Sequence, residues 1–201
     1  MPQSETDICN MALMHLGQST RITSMDERTN AALNCRLFYD TCRRAVLSDH
    51  EWSFCNQYET LALSGTAPGH WEYCYAYPAD TVRVRFLFDE NFDPQRDSRV
   101  PFKIAVAPDK SGKQVWTNLE EAQAAITLNI ENPNLFDAQF ILALSYKLAH
   151  EIALPMTRDK SKKREMYQYY MQALPQAAVS DMNEGEEITD VWDASWIAAR
   201  A

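Results

Sequence analysis

The stretch LFDAQFILALSYKLAHEIAL (residues 135–154) decides how this chain folds. Its apolar residues recur at steps of three and four, which predicts an α-helix. The inward face of that helix carries Phe140, Ile141, Leu144, Leu148 and Ile152. The other side is nearly apolar as well, since it carries Ala143, Ala149 and Ala153. A helix with this pattern is buried on more than one side, and Pro155 is expected to end it.

Two helices are predicted before this stretch. SETDICNMALMHLG (residues 4–17) indicates a short helix that Ser4 caps and Gly17 ends. Ser24 and Glu27 have the spacing of a capping box, which predicts that the second helix begins there. Its apolar stripe would consist of Ala31, Cys35, Phe38, Cys42 and Ala45. We expect Cys35 and Cys42 to be free, buried core thiols.

A fourth helix is predicted from about Lys160, and Pro175 should stop or kink it. Its buried face would carry Met166, Tyr167, Tyr170, Met171 and Leu174. From Asn183 onward the sequence resembles a tail.

The middle of the chain changes to the alternating pattern of half-buried strands. The predicted strands are WEYCYAY (71–77), TVRVRFLF (81–88), PFKIAVA (101–107), QVWTN (114–118) and AAITLNI (124–130). In the second of these, Arg83 and Arg85 share the face opposite the apolar residues. That face could bind an anion, or it could be solvated or pair with acids of a neighbouring subunit.

These patterns predict an α+β fold, namely a four-helix bundle with an inserted small antiparallel β-sheet and an extended C-terminal tail. The bundle would comprise residues 1–56 and 132–183, the inserted β domain residues 57–131, and the acidic tail residues 184–201.

Composition narrows the class of protein. The 201 residues can bury one substantial core, and the net charge of −9 disfavours wrapping of nucleic acid. Five cysteines without a C-x-x-C spacing argue against a disulfide framework and against a structural zinc site. The sequence has neither a membrane-spanning run nor a secretory leader pattern, so we expect a protein made in a cytosol. Charge is uneven, because residues 158–165 are basic and residues 181–193 are acidic.

The stretch LSDHEWSFCN (residues 47–56) contains several chemically active side chains. Ser48, Asp49 and His50 are adjacent, so they point in different directions and do not make a triad. We expect a helix end here, with Trp52 covering the core.

Other catalytic patterns are incomplete. His150 and Glu151 begin a zinc-protease pattern, but Leu154 replaces the second histidine. A glycosidase-type pair such as Glu51 with Glu59 is not selected by any further signal. We therefore expect no enzyme, no catalytic residue, no metal site and no cofactor.

Several segments together resemble the phage head-to-tail adaptor family, the tail tubular protein A and tail accessory factor proteins that close the portal of short-tailed phages. The matching pieces are ALMHLG, ITSMDE, FYDTCRRAVL, HEWSF, TLAL, YAYPADTVRV and FDAQFILALSYKLAHEIALPMT. In order and spacing they cover most of residues 4–183.

The resemblance implies a structural virion protein at the head–tail junction, made in the host cytoplasm. Its expected partners are the portal protein, the downstream tail nozzle and a tail fibre, and its own copies in a ring, usually a dodecamer. Genomic DNA would pass through the lumen without specific binding, and no membrane would be involved. During viral assembly the ring would close the DNA-filled head and provide the platform for the tail. DNA ejection would later take place through this ring.

We expect two partner-binding segments. The tail would dock through Ile188, Val191, Trp192, Trp196 and Ile197, which form an apolar ridge if helical. The basic segment would contribute Arg158, Lys160, Lys162, Lys163 and Arg164. The alternative functions are a virion-associated, carboxylate-dependent peptidoglycan hydrolase and a cytosolic DNA-packaging or regulatory factor.

Overall fold

The computed structural model describes residues 4–19, 21–92, 99–110 and 112–182. The described part is mixed α/β, with four α-helices and two small antiparallel sheets. The helices are α1 (Glu5–His15), α2 (Asn30–Asp49), α3 (Ala138–Thr157) and α4 (Lys160–Met182). The strands are β1 (Asn56–Thr60), β2 (Tyr73–Ala76), β3 (Thr81–Phe88), β4 (Phe102–Val106), β5 (Lys113–Thr117) and β6 (Gln123–Leu128). Short 3-10 turns precede β1 (Ser53–Cys55) and α3 (Pro133–Leu135).

Helix α3 lies at the centre of the helical part and packs against α1, α2 and α4. Both of its apolar sides are used, as predicted, because Phe140, Leu148 and Ala149 are all completely buried. Ile141 is only half-buried. The main core therefore forms around one helix with three neighbours.

The strands form two three-stranded sheets, in the orders β1-β6-β3 and β2-β5-β4, and the expectation of one small sheet was wrong. Each sheet presents an apolar face, and a second core lies between the two faces. It contains Leu61, Tyr75, Leu87, Val115 and Ile126, drawn from both sheets or the residues beside them. Burial of two apolar faces against each other stabilises two sheets better than one flat sheet.

Helix α1 begins and ends where the sequence predicts. The Ser4 hydroxyl accepts from the Asp7 amide while the Asp7 side chain accepts from the Ser4 amide, a complete capping box. The helix stops at Leu16, and Gly17 follows with a positive φ of 75°. Ile8, Cys9, Ala12 and Leu13 form its buried face.

Helix α2 begins later than predicted. Glu27 Oε1 accepts from the amides of Thr23 and Ser24, so the predicted capping box closes a single turn. The helix starts at Asn30, and Thr29 caps it through the Ala32 amide. These side-chain hydrogen bonds are completed within a single turn, so they do not require a helix to follow.

The buried stripe of α2 is also shifted from the predicted one. Its buried residues are Ala32, Cys35, Tyr39, Cys42, Arg43, Val46 and Leu47, whereas the predicted Ala31, Phe38 and Ala45 are half-buried.

Pro155 and Pro175 both lie inside helices, so the expectation that Pro155 ends α3 was wrong. Helix α3 continues to Thr157, whose hydroxyl donates to the Ala153 carbonyl, and the Arg158 amide closes the end on Leu154. Helix α4 runs through Pro175 to Met182. Its buried face is Met166, Tyr170, Ala173, Ala177 and Asp181, while the predicted Tyr167 and Met171 are exposed and Leu174 is half-buried. Packing on α3 along this narrow stripe holds the helix past its proline.

All five cysteines are free and buried, as predicted for Cys35 and Cys42. Burial raises the pKa of Cys42 and of Cys55 to about 12. Because only exposed thiolates react, we expect the cysteines of the native protein to resist an aromatic disulfide reagent at pH 8. After unfolding in urea, all five cysteines should react and release five equivalents of the reagent's thiolate. Rapid labelling of Cys35 or Cys42 in the native protein would contradict their placement in the core.

Candidate partner-binding site

The stretch at residues 47–56 is a helix end, as the sequence predicts. Helix α2 ends at Asp49, and His50 is its C-cap. Trp52 is completely buried, and its Nε1 donates to the Val46 carbonyl at 2.9 Å. Its ring meets Phe140 edge-on, with 5.1 Å between the ring centroids. Trp52 therefore joins the end of α2 to α3.

Asp49 and His50 have separate partners on α4. Asp49 Oδ2 accepts from the Tyr170 hydroxyl, whereas His50 Nε2 lies 3.0 Å from Asp181 Oδ2. The other oxygen of Asp181 accepts from the Ser53 amide at 2.9 Å. Asp181 is buried, so the charge-assisted bonds satisfy it and attach the end of α4 to the end of α2. The two side chains do not converge as a catalytic triad requires.

Arg85 completes this junction from the sheet side. Its guanidinium donates to the carbonyls of Leu47, Ser48 and His50, and its Nε donates to the Thr127 hydroxyl at 2.7 Å. The last carbonyls of a helix lack partners within the helix, and they carry partial negative charge. Arg85 thus stabilises the fold. The sequence alone did not decide whether its face binds an anion, is solvated or pairs with acids of a neighbouring subunit.

A serine–histidine contact occurs elsewhere, between α1 and α3. His15 Nε2 lies 3.0 Å from Ser145 Oγ. Ser145 is completely buried, and its hydroxyl donates to the Leu142 carbonyl at 2.7 Å. Burial also lowers the pKa of His15, with the positive charge of Lys162 acting in the same direction. This pair closes a helix contact and offers no accessible nucleophile.

Of the carboxylates and histidines singled out in the sequence, Glu51 and His150 have local partners. Glu51 Oε1 accepts from Asn56 Nδ2 at 3.0 Å, and Glu59 lies on β1 opposite Ala124. His150 Nδ1 lies 2.9 Å from the Lys163 carbonyl, between α3 and α4. Within the ranges that the structure describes, no group of three or more His, Cys, Asp or Glu side chains could hold a metal ion. None of the helices in those ranges is long and apolar enough to cross a membrane.

The basic segment predicted to bind a partner lies where α3 turns into α4. We call this surface the basic corner, defined by Leu154, Arg158, Lys160 and Arg164, all of which are exposed. Arg158 adopts a left-handed conformation with φ 57°, which makes the chain turn sharply. Lys162 and Lys163 are half-buried, and Lys162 pairs with Glu165 at 3.1 Å. The structure therefore brings three of the five predicted basic residues onto one exposed surface.

The tail residues predicted to bind the portal (Ile188, Val191, Trp192, Trp196 and Ile197) lie outside the described residues.

An open groove beside the two sheets has no counterpart in the sequence analysis. It has a volume of about 980 Å³ and apolar walls that include Leu61, Leu63 and Leu119 with Tyr73 and Tyr75. Its rim carries Asp89, Glu90, Glu120 and Glu121. We call it the acidic groove. The double acid Glu120-Glu121 in the turn between two strands is the one sequence signal that could have indicated it.

Arg43 is the other feature that the sequence analysis missed. Only 2% of this basic side chain is exposed. Its guanidinium donates to Asp40, to Asn129 Oδ1 at 3.0 Å and to the Ile130 carbonyl. Its position four residues after Tyr39 on the buried stripe is the only signal for this role. Arg43 binds α2 to the chain that leaves β6.

Comparison of the sequence with protein-family models and with curated proteins gives no match. The functional assignment therefore depends on the residues described above.

Proposed function

We propose that the protein is a head-to-tail adaptor, a structural virion protein that forms a ring under the portal, closes the DNA-filled head and provides the platform for the tail. In this proposal α1–α4 form a four-helix bundle that makes the ring wall. The two sheets form an inserted domain (residues 57–131) that faces the next tail component. The acidic tail (residues 184–201) docks on the portal.

The observation that carries the proposal is the charge at the start of α4. Lys160, Lys162, Lys163 and Arg164 occupy its first turns. No acid lies in the first turn, and the carboxylate just before the helix, that of Asp159, accepts from the Ser161 amide at 2.7 Å. The N-terminus of a helix carries partial positive charge, so cations there cost stability instead of adding it. A cationic surface that opposes its own helix is explained by an acidic binding partner, which recovers the cost on assembly.

A second feature supports the adaptor class over other binding proteins. Two segments that carry the family resemblance lie where helices and strands adjoin. The HEWSF segment supplies Trp52 and the C-cap of α2, and YAYPAD supplies a turn in which Asp80 has φ 49°. The Asp80 carbonyl accepts from the Asn129 amide at 2.6 Å, next to the bonds of Arg43. The resembling pieces thus connect helices and sheets.

The mass of the protein alone and mixed with its portal protein tests the proposal. We expect a complex with the portal that contains multiple copies of the chain. Deletion of residues 184–201 should abolish stable attachment, because the tail would supply Trp192 and Trp196 as apolar anchors. A matched control replaces the acids of the tail by amides and keeps both tryptophans. We expect this variant to lower the rate of attachment to the portal more than the affinity. Full attachment of the deleted protein would contradict the role of the tail, and absence of any complex would contradict the adaptor function.

The same protein preparation tests the alternative function, a peptidoglycan hydrolase. We expect no clearing of a peptidoglycan gel. Clearing that disappears with Glu51→Gln or Glu59→Gln would establish the hydrolase instead. Salt-dependent binding of duplex DNA that is lost with Lys160→Glu and Arg164→Glu would favour the DNA-packaging factor.

A further inference from the structure

The acidic groove combines apolar walls with a rim of one charge. Leu63 is 70% exposed, far more than an apolar side chain of a closed core. Glu90, Glu120 and Glu121 are exposed at the rim, and none of the described residues that line the groove is basic. Partial burial and the negative charge of Glu120 raise the pKa of Tyr73, which lies in the wall. Such a surface fits an occupant with apolar side chains surrounded by cations.

The basic corner has the complementary composition. Leu154 is 41% exposed at the end of α3, and Pro155 beside it is exposed as well. Arg158, Lys160 and Arg164 are exposed close by in the chain and outnumber the exposed Asp159 between them. The corner lies at the sharp turn between α3 and α4, where Arg158 is left-handed. An exposed apolar surface with basic neighbours matches an apolar groove with acidic neighbours.

The two surfaces lie on different elements of one chain. Helix α4 begins at the basic corner, and Asp181 near its other end is bonded to Ser53, just before β1. At 1.5 Å per residue the two ends of α4 are about 30 Å apart. Strand β1 then leads from Asn56 to Thr60 and into the groove at Leu61. None of the corner residues lines the groove, so the corner does not fill the groove of its own chain.

We infer that the basic corner of one copy docks in the acidic groove of a second copy of this chain. The contact is heterologous, since different surfaces of the two copies meet, so it continues from copy to copy until a ring closes or a filament forms. This inference rests on the proposed function and deepens it by naming the contact that joins neighbouring copies.

Charge reversal on either surface tests the contact by analytical ultracentrifugation at low salt, up to millimolar protein. The groove variant is Glu90→Lys with Glu121→Lys, and the corner variant is Lys160→Glu with Arg164→Glu. We expect each to raise the apparent dissociation constant for self-association at least about tenfold, because like charges then face each other. The corner variant places acids at the N-terminus of α4, which favours the helix, so lost association would not reflect misfolding.

Two controls make the result specific. Arg28→Glu with Arg44→Glu changes the net charge as much as the corner variant does, at exposed residues outside both surfaces, and should leave self-association intact. A chain that carries both reversals, and an equimolar mixture of the two variants, should each regain self-association, since opposite charges meet again.

A wild-type chain that stays monomeric over the whole concentration range overturns the inference, and so does self-association that neither reversal weakens or that the combined reversal fails to restore. Attachment to the portal is measured separately. Reversals that block attachment to the portal while self-association stays intact would overturn the groove contact and leave the adaptor function standing.

Discussion

Replacement of Trp52 by alanine is expected to lower the free energy of unfolding by about 3–5 kcal/mol. The side chain is completely buried, so its removal leaves a cavity between α2 and α3. The edge-on contact with Phe140 and the hydrogen bond to the Val46 carbonyl are lost as well. Urea denaturation followed by far-ultraviolet circular dichroism measures the change without relying on tryptophan fluorescence.

Trp116→Ala is the matched control for Trp52. Trp116 is half-buried on β5, so the same chemical deletion should cost clearly less. Trp52→Phe should recover part of the loss, because a ring still fills most of the space. A cost below about 1 kcal/mol for Trp52→Ala would mean that the end of α2 does not pack on the core as described.

Replacement of Arg43 by alanine is expected to cost about 2–3 kcal/mol, since it removes a buried side chain and leaves partly buried oxygens without a donor. Asp40 loses its ion pair, and the amide oxygen of Asn129 and the carbonyl of Ile130 lose a donor. Arg43→Lys should recover only part of this, because one ammonium group cannot reach three acceptors with the geometry of a guanidinium.

Arg44→Ala controls for the loss of a positive charge from α2. Arg44 is exposed next to Arg43 in sequence, and its removal should change the free energy of unfolding by no more than about 0.5 kcal/mol. Thermal and urea unfolding of the three variants measure the difference. Equal effects of Arg43→Ala and Arg44→Ala would show that the buried network contributes nothing beyond charge.

The pattern of residues along the chain was sufficient to predict the elements that local physics dominates. Ser4 and Asp7 satisfy the first amides of α1 with their own side chains, so the start of α1 needs no tertiary contact. The steps of three and four in α3 make burial on two sides the only stable arrangement for so apolar a helix. Strand β3 was predicted with its observed bounds, because alternation and turn residues flank it on both sides.

Tertiary structure alone decided where competing local signals were equal. The Ser24–Glu27 box can close a turn or start a helix. The Asn10 side chain donates to the Ile22 carbonyl and accepts from the Ile22 amide, which fixes the chain before α2 begins. Packing on α3 lets α4 continue through Pro175. From propensity alone, a proline at this position predicts the end of the helix.

The site follows the same division. The basic run at residues 158–164 is visible in the sequence because its residues are neighbours in the chain. The acidic groove is not, because residues 60 to 123 become neighbours only when the two sheets pack together. The roles of Arg43 and Arg85 could not be predicted from the sequence. Their acceptors are the carbonyls of Ile130 and of the end of α2, and the fold sets the positions of those carbonyls. Short-range order thus came from side chains a few residues apart, and everything that depends on contacts between distant segments was decided by their packing.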